Sequence, residues 1–473
     1  MTLGVKGLFE AGAHARWVDT FVIHQGLIGF RALCERVVPT DTRYLVLDLD
    51  RTLHWDKNIG ELLGWELCAH AAYGMAGLEQ AEAERKSNRF VFDHKHPWRS
   101  VHYVARGARL WAYPGLSYGL AIKLGMRSKA VRPWLFRMLG QDPVEVIHGI
   151  VRNALMHHLS EIPLDTARTL ARRVWHRQAA DQILDKQDLL WLRERCPHIR
   201  IIVSSASPKP VLDVAAEELG VDEIYYTSVE EHDGYLSAPH ALDRWFMLWR
   251  TPKRICPPSQ AHTNAGERKM LRLLDVHPDF LDPGVVTVGM TDTSYREDHS
   301  WANYFKILVD LHSPTPFVPI VSGSSPLMEI HSAHVMTQAE KQDGSCRRRN
   351  HVGPLDERRY CGSQLERQLP GLLSTVHRLN QRYQDEHRRL HHDRLEIEGH
   401  LSTLWKLIEE DVDDYNASEG HRRDRVLRRL RHRLRQRHRW ERRLIRTERP
   451  LAELTHSLTE LLSVARLSLE PTA

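Results

Sequence analysis

Between Tyr44 and Asp310 the chain switches repeatedly between two hydrophobic periods, and this alternation constrains its fold more than any other feature. Tyr44-Leu-Val-Leu47, Ile199-Arg-Ile-Ile-Val203, Glu223-Ile-Tyr-Tyr-Thr227, Val285-Val-Thr-Val-Gly289 and Ile307-Leu-Val-Asp310 are short, mainly apolar and β-branched, as buried strands are. Stretches of helical spacing lie between them, the longest from Ile59 to Glu194, with shorter ones ending at Gly220 and beginning at Lys269. Strands that alternate with helices form parallel sheets, since each crossover helix returns the chain to the same edge. The expectation is an α/β domain over residues 44–320, a Rossmann-like parallel sheet with a large helical insert at about 59–194. Residues 1–43 read as a helical lead of one or two short helices before Val37-Val38-Pro39.

A different pattern begins further on. Residues 321–362 mix Ser, Gly, Arg, Gln and His without periodicity and read as a linker. From Leu365 to Ile408, apolar residues fall on three- and four-residue steps, a heptad seam that Leu427, Leu430 and Leu434 resume after the turn Asn416-Ala-Ser-Glu-Gly420. Residues 363–470 are therefore expected to form a helical coiled-coil hairpin, its second arm kinked or interrupted at Pro450.

Composition narrows the class. A length of 473 residues predicts two or three folded units, and 42% hydrophobic with 27% charged residues is ordinary for a chain with a core. Mean hydropathy is −0.46 and no apolar run is long enough to span a bilayer. Glu10, Arg16 and Asp19 break any signal-peptide order in the first twenty residues. The cysteines are widely spaced with no CxxC pair, which argues against a zinc knuckle or disulfide scaffold and for a reduced, cytoplasmic protein. Adjacent pairs such as His157-His158 and His391-His392 diverge on a helix and make poor joint ligands, so no zinc site is assigned.

Charge is unevenly placed. Of the net +5, the segment His421–Arg449 alone contributes about +11, from fourteen Arg against Asp424, Glu441 and Glu448. Such a helix could bind nucleic acid or an acidic protein. An antiparallel hairpin would instead set Glu409, Glu410, Asp411, Asp413 and Asp414 beside Arg422, Arg423 and Arg425. The leucine seam favours packing within the hairpin or self-association over nucleic-acid binding.

Asp48-Leu49-Asp50-Arg51-Thr52 leaves the carboxyl end of the first strand, where parallel sheets place their active sites. If the chain curls tightly there, both carboxylates can reach one reacting centre, one as nucleophile and the other as proton donor. The competing reading is a local turn in which Asp50 and Thr52 serve only backbone hydrogen bonds.

The order of later elements resembles the haloacid-dehalogenase-like (HAD) phosphohydrolases, most closely the branch that includes phosphoserine phosphatase. Four motifs carry the resemblance: Asp48 to Thr52; Ser204-Ser205-Ala-Ser-Pro208, with Ser205 the better match by its spacing to Leu219-Gly220; Gly266-Glu-Arg-Lys269; and an acidic segment within Val285 to Asp298. The resemblance implies that Asp48 attacks phosphorus, that Asp50 protonates the leaving oxygen and then activates water, and that Thr52, Ser205 and Lys269 hold the phosphoryl group. It also implies a magnesium ion (Mg2+) on Asp48, the Asp50 carbonyl, Asp292 and a further acid. Here the pattern departs: Thr291 replaces the usual Gly, Arg296 occupies the four-residue position, and Glu297 or Asp298 supplies the second acid, a choice the sequence leaves open. Dehalogenating relatives lack the second Asp, so phosphoryl chemistry on a small phosphorylated substrate is expected. The alternative is a phospho-ligand-sensing scaffold with a degenerate site. The insert would be the family's cap, and its aromatic stretch Trp98–Met126 reads first as packed core; a membrane-contacting surface for a lipid phosphate is the sharper alternative.

Overall fold

The computed structural model describes residues 16–83, 97–107, 143–240, 251–293, 301, 303–313, 320–321, 325–343, 356–368 and 371–467. From the N-terminal side these form β1 (Arg16–Trp17), β2 (Thr20–Ile28), α1 (Phe30–Val37) and β3 (Thr42–Leu47). Helices α2 (Ile59–Ala83), α3 (Pro97–Gly107), α4 (Pro143–Leu159), α5 (Leu164–Arg177) and α6 (Lys186–Arg195) follow. Then come β4 (Arg200–Pro208), α7 (Lys209–Leu219), β5 (Glu223–Thr227), β6 (Glu231–His232), β7 (Tyr235–Leu236), α8 (Glu267–Val276), β8 (Val286–Thr291) and β9 (Ile307–Leu311). The remainder is β10 (Ile320–Val321), β11 (Glu329–Val335), α9 (Gln338–Asp343), β12 (Asp356–Cys361), α10 (Gly362–Gln368), α11 (Leu372–Asn416) and α12 (Gly420–Leu467).

The fold is α/β, built on an eight-stranded sheet in the order β12-β2-β11-β9-β8-β3-β4-β5. Every pair in it is parallel except the edge pair β12–β2. All five strands expected from the apolar runs are present and adjacent, with β3 central. Leu45, Val46 and Leu47 are fully buried, as a run apolar on both faces requires. One face packs on α1, α6, α7 and the insert helices through Leu33, Leu189, Val211 and their neighbours. The other packs on Met270, Leu273, Phe280, Trp301 and Phe305, and Val376 of α11 joins that layer. Gly289 of β8 has no substitute here, because a Cβ would lie 2.7 Å from the Phe305 ring.

Two expectations are corrected. Thr20–Ile28 is not part of a helical lead but an inner strand between β11 and β12, while Phe30–Val37 is the helix expected there. Residues 321–362 are not simply a linker, since Glu329–Val335 enters the sheet beside β9 and Asp356–Cys361 closes its edge. Both errors share a cause. β11 reads Glu-Ile-His-Ser-Ala-His-Val, and its polar His331 is buried because His24 of β2 lies against it, the rings hydrogen-bonded at 3.1 Å. Polar residues satisfied across strands erase the apolar signature that a strand search relies on.

In the insert, α2 is broken at Gly74, whose φ of 69° departs from helix, and α5 packs beside it. Glu66 of α2 is buried between Arg173 and Arg177 of α5, a cross-helix clamp for the two. The stretch proposed as membrane-contacting lies mostly outside the described residues, though Trp98, Val101 and Val104 of α3 are exposed. Among the described residues no helix is long and apolar enough to cross a membrane.

Helices α11 and α12 form an antiparallel hairpin. Asp411 meets Arg429 and Arg433, Arg394 meets Glu448, and His400 stacks on Trp440, so the pairing register is constant over much of its length. Ile408, Val412, Val426, Leu427, Leu430 and Leu434 bury its seam. α12 continues through Pro450 to Leu467 without ending there. The turn end docks on the domain: Asn416 exchanges hydrogen bonds with the Ile255 backbone, and Tyr415 donates to the Pro252 carbonyl at 2.5 Å.

Candidate active site

The site is assembled at the carboxyl ends of β3, β4 and β8, where the backbone leaves the sheet and side chains of successive strands converge. Asp48 follows β3 directly, its N–H still bonded to the Met290 carbonyl of β8. The chain then turns sharply, with Arg51 at φ 63°, a conformation that a regular strand never visits. This turn takes Asp50 out of the strict side-to-side alternation of a strand, and Arg51 N–H bonds the Lys57 carbonyl to close the loop.

Asp48 is nearly buried and held at both oxygens. Lys269 Nζ donates to Oδ1 at 2.7 Å and Thr52 Oγ1 donates to Oδ2 at 3.2 Å. Lys269 stands in the first turn of α8, after Gly266 whose φ of 57° starts the helix sharply, and its ammonium lies 4.9 Å from the Trp301 ring centroid. A cation so enclosed requires a negative partner, and Asp48 is that partner. Thr52 Oγ1 also accepts from the Asp292 backbone N–H at 3.0 Å, tying the first motif to the end of β8.

Asp50 accepts three hydrogen bonds. The Ile59 N–H at the start of α2 reaches Oδ1 at 2.8 Å, while Ser205 and Ser207 hydroxyls reach Oδ2 at 3.1 and 2.7 Å. Ser205 therefore faces Asp50. Ser204, the weaker match by spacing, accepts instead from Asn264, whose amide also bonds the Ser205 and Tyr225 carbonyls. Sequence reasoning missed Ser207 and Asn264. Ser207 was legible only as the second Ser of Ser-Ala-Ser-Pro, and Asn264 carried no signal at all.

A third missed residue is Asp310 at the end of β9. It is fully buried, and Oδ1 accepts from the Thr293 N–H and from the hydroxyls of Thr293 and Ser313. Burial, with the negative charge of Asp292 adding to it, pushes its carboxyl up to about 6 against the hydrogen bonds that hold it down. Its Oδ2 has no hydrogen-bond partner among the described residues. Of the fourth motif, Asp292 is placed beside Thr52 and Ser313, whereas Glu297 and Asp298 lie outside the described residues.

Among the described residues, no group of three or more His, Cys, Asp or Glu side chains is arranged to hold a metal. The oxygens that the resemblance implies as ligands, from Asp48, Asp292 and the Asp50 carbonyl, are of the hard type that magnesium takes, often with waters completing its shell. The buried Asp310 oxygen without a partner, next to a second carboxylate, marks a region that a cation would relieve. The residues present fit such an ion in chemical type.

No protein-family model matches the chain, and no curated protein matches it. Solved structures resemble it at low identity. A protein of unknown function from Bordetella pertussis Tohama I is 13% identical, with 58% of this chain and 92% of that one covered and a TM-score of 0.31. A phosphoserine phosphatase in apo form is 10% identical over 62% of this chain and 93% of that one, with a TM-score of 0.28. A HAD family hydrolase from Salmonella enterica subsp. enterica serovar Typhi is 9% identical over 59% of this chain and 65% of that one, again at 0.28.

Proposed function

We propose that the chain is a magnesium-dependent phosphohydrolase of the HAD type, which releases phosphate from a phosphomonoester through an aspartyl-phosphate intermediate on Asp48. One observation carries the reading: a buried carboxylate paired with a buried Lys, beside a second carboxylate held by hydroxyls, at the carboxyl end of a parallel sheet. A purely structural ion pair would explain Asp48 and Lys269 but not Asp50.

Asp48 attacks phosphorus, forming a carboxyl–phosphorus bond as the ester P–O bond breaks. The departing oxygen takes a proton from Asp50. Water then gives a proton to Asp50 and attacks phosphorus, which frees phosphate and restores the Asp48 carboxylate. The hydrogen bonds decide where that proton sits. Ile59 N–H can only donate, so it keeps Oδ1 an acceptor. The hydroxyls of Ser205 and Ser207 can donate or accept, so Oδ2 stays bonded in both protonation states. Lys269 supplies positive charge where the phosphoryl oxygens accumulate negative charge; Thr52 and Ser205, whose single hydroxyl protons are held by Asp48 and Asp50, would donate to that group by exchanging those bonds for it. Magnesium, held by Asp48, the Asp50 carbonyl, Asp292 and Glu297 or Asp298, would offset the repulsion between carboxylate and phosphate.

The test is phosphate release by the purified chain across sugar, amino-acid, nucleotide and lipid phosphates, with and without magnesium. Asp48→Asn should abolish release while the circular dichroism spectrum is unchanged, because the amide keeps the shape and cannot attack. Full turnover in Asp48→Asn refutes the reading. Tight binding of phosphorylated ligands by the unaltered chain without any turnover would identify the sensing scaffold instead.

A further inference from the structure

The leucine seam that suggested self-association is already occupied. Leu427, Leu430 and Leu434 are buried against Ile408 and Val412 of the same chain. What α12 leaves outward is charge. Arg425, Arg428, Arg431, Arg435, Arg439 and Arg442 recur every three or four residues, all exposed, on the side of the helix opposite that seam, and Arg446 continues the row. At a rise of about 1.5 Å per residue the row is about 32 Å long.

The cross-hairpin neutralisation expected from the sequence reaches other arginines. Arg429 and Arg433 engage Asp411 and Arg429 also engages Asp414 across the hairpin, while Arg437 engages Glu441 within α12. Of the acids on this part of α12, Glu441 is taken by Arg437 and His438, Glu448 is buried beside Arg394, and the exposed Asp424 at the start of the row forms no ion pair with it. The seven arginines of the row have no carboxylate partner among the described residues. Arg435 and Arg442 bond only carbonyls of their own helix.

We propose that this row is a docking surface for the phosphate backbone of a nucleic-acid duplex, bound without regard to sequence. Three features select that occupant. The row is entirely guanidinium, which pairs with phosphate oxygens bidentately and is less strongly hydrated than ammonium. Its length is close to one duplex turn of about 34 Å. Among the described residues of α12 no large hydrophobic side chain is exposed, so nothing would insert into a lipid surface. A second copy docking by the same face would set guanidinium against guanidinium. The proposal is independent of the phosphatase reading.

The experiment uses the full chain and fluorescein-labelled mixed-sequence duplexes of about 24 base pairs, one DNA and one RNA, followed by anisotropy over a salt series. Each neutralised phosphate contributes a slope of about −0.9 in log affinity against log salt. Binding with a slope steeper than about −3 is expected. The triple variant Arg431→Gln, Arg435→Gln, Arg439→Gln should bind at least about tenfold more weakly at 0.1 M salt and flatten the slope by about 2 to 3. Its side chains are exposed, so its circular dichroism and melting curve should match the parent. No binding by the parent at low salt, or equal binding by the variant, would overturn the proposal. Equal competition by polyglutamate of matched charge, or by phosphatidylserine vesicles, would overturn it in favour of an acidic protein or a membrane.

Discussion

At the scale of single residues, the site turns on which groups hold Asp50. Ser207 makes the shorter of its two hydroxyl contacts, at 2.7 Å, and sits against Gly60, where a Cβ would come within 2.5 Å of its Oγ. Ser207→Ala removes one hydrogen bond to a charged group, a loss of about 1.5–3 kcal/mol in the extreme, so kcat should fall about tenfold or more with KM little changed. Gly60→Ala should produce the same kinetic signature from the other side by displacing that hydroxyl. If Ser207→Ala raises KM and leaves kcat intact, Ser207 binds substrate rather than positioning Asp50. Asp48, Asp50 and Lys269 were legible in the sequence because each stands at a strand end or helix start within a short motif. Asn264 and Asp310 were not, because their partners lie on strands and loops that only folding brings alongside.

At the scale of elements, the hairpin is held by more than its leucines. The Asp411 side chain is fully buried in the seam, hydrogen-bonded to Arg429 and ion-paired with Arg433, whose Nε lies 3.1 Å from Oδ2. Asp411→Asn keeps the volume and removes the charge, leaving two arginines without their shared partner. The denaturation midpoint of the hairpin, followed by helical circular dichroism, should drop by the equivalent of about 1–3 kcal/mol with an unchanged m value. An unchanged midpoint would mean that solvent already screens the pair. The helices themselves were readable from periodicity. So were five strands, whereas β2 and β11 hid behind His24, His331 and Ser332, polar residues that burial tolerates only in company.

At the scale of the whole molecule, buried histidines link stability to pH. Burial pushes His54 down to about 3 and His240 to about 4, and burial with the neighbouring His331 brings His24 to about 4. Each binds a proton more readily in the unfolded chain, near the ordinary value of about 6.5, so stability is greatest above that pH and is lost as pH falls from there towards 4. Asp310 works the other way over pH 6 to 4, since its raised carboxyl favours protonation in the fold. Three histidines against one carboxylate should still leave the melting temperature lower at pH 5 than at pH 7, and His54→Asn should flatten the slope. A melting temperature independent of pH across that interval would show that these rings titrate freely. The sequence by itself determined the parallel α/β plan, the Asp48–Thr52 and Lys269 motifs and the helical hairpin, because apolar period and strand-end motifs are local properties of the chain. Tertiary structure alone decided the edge half of the sheet, the hold of Ser207 on Asp50, and which arginines face their own acids and which face solvent. Those outcomes depend on partners distant in sequence, and a one-dimensional pattern carries no distance between them.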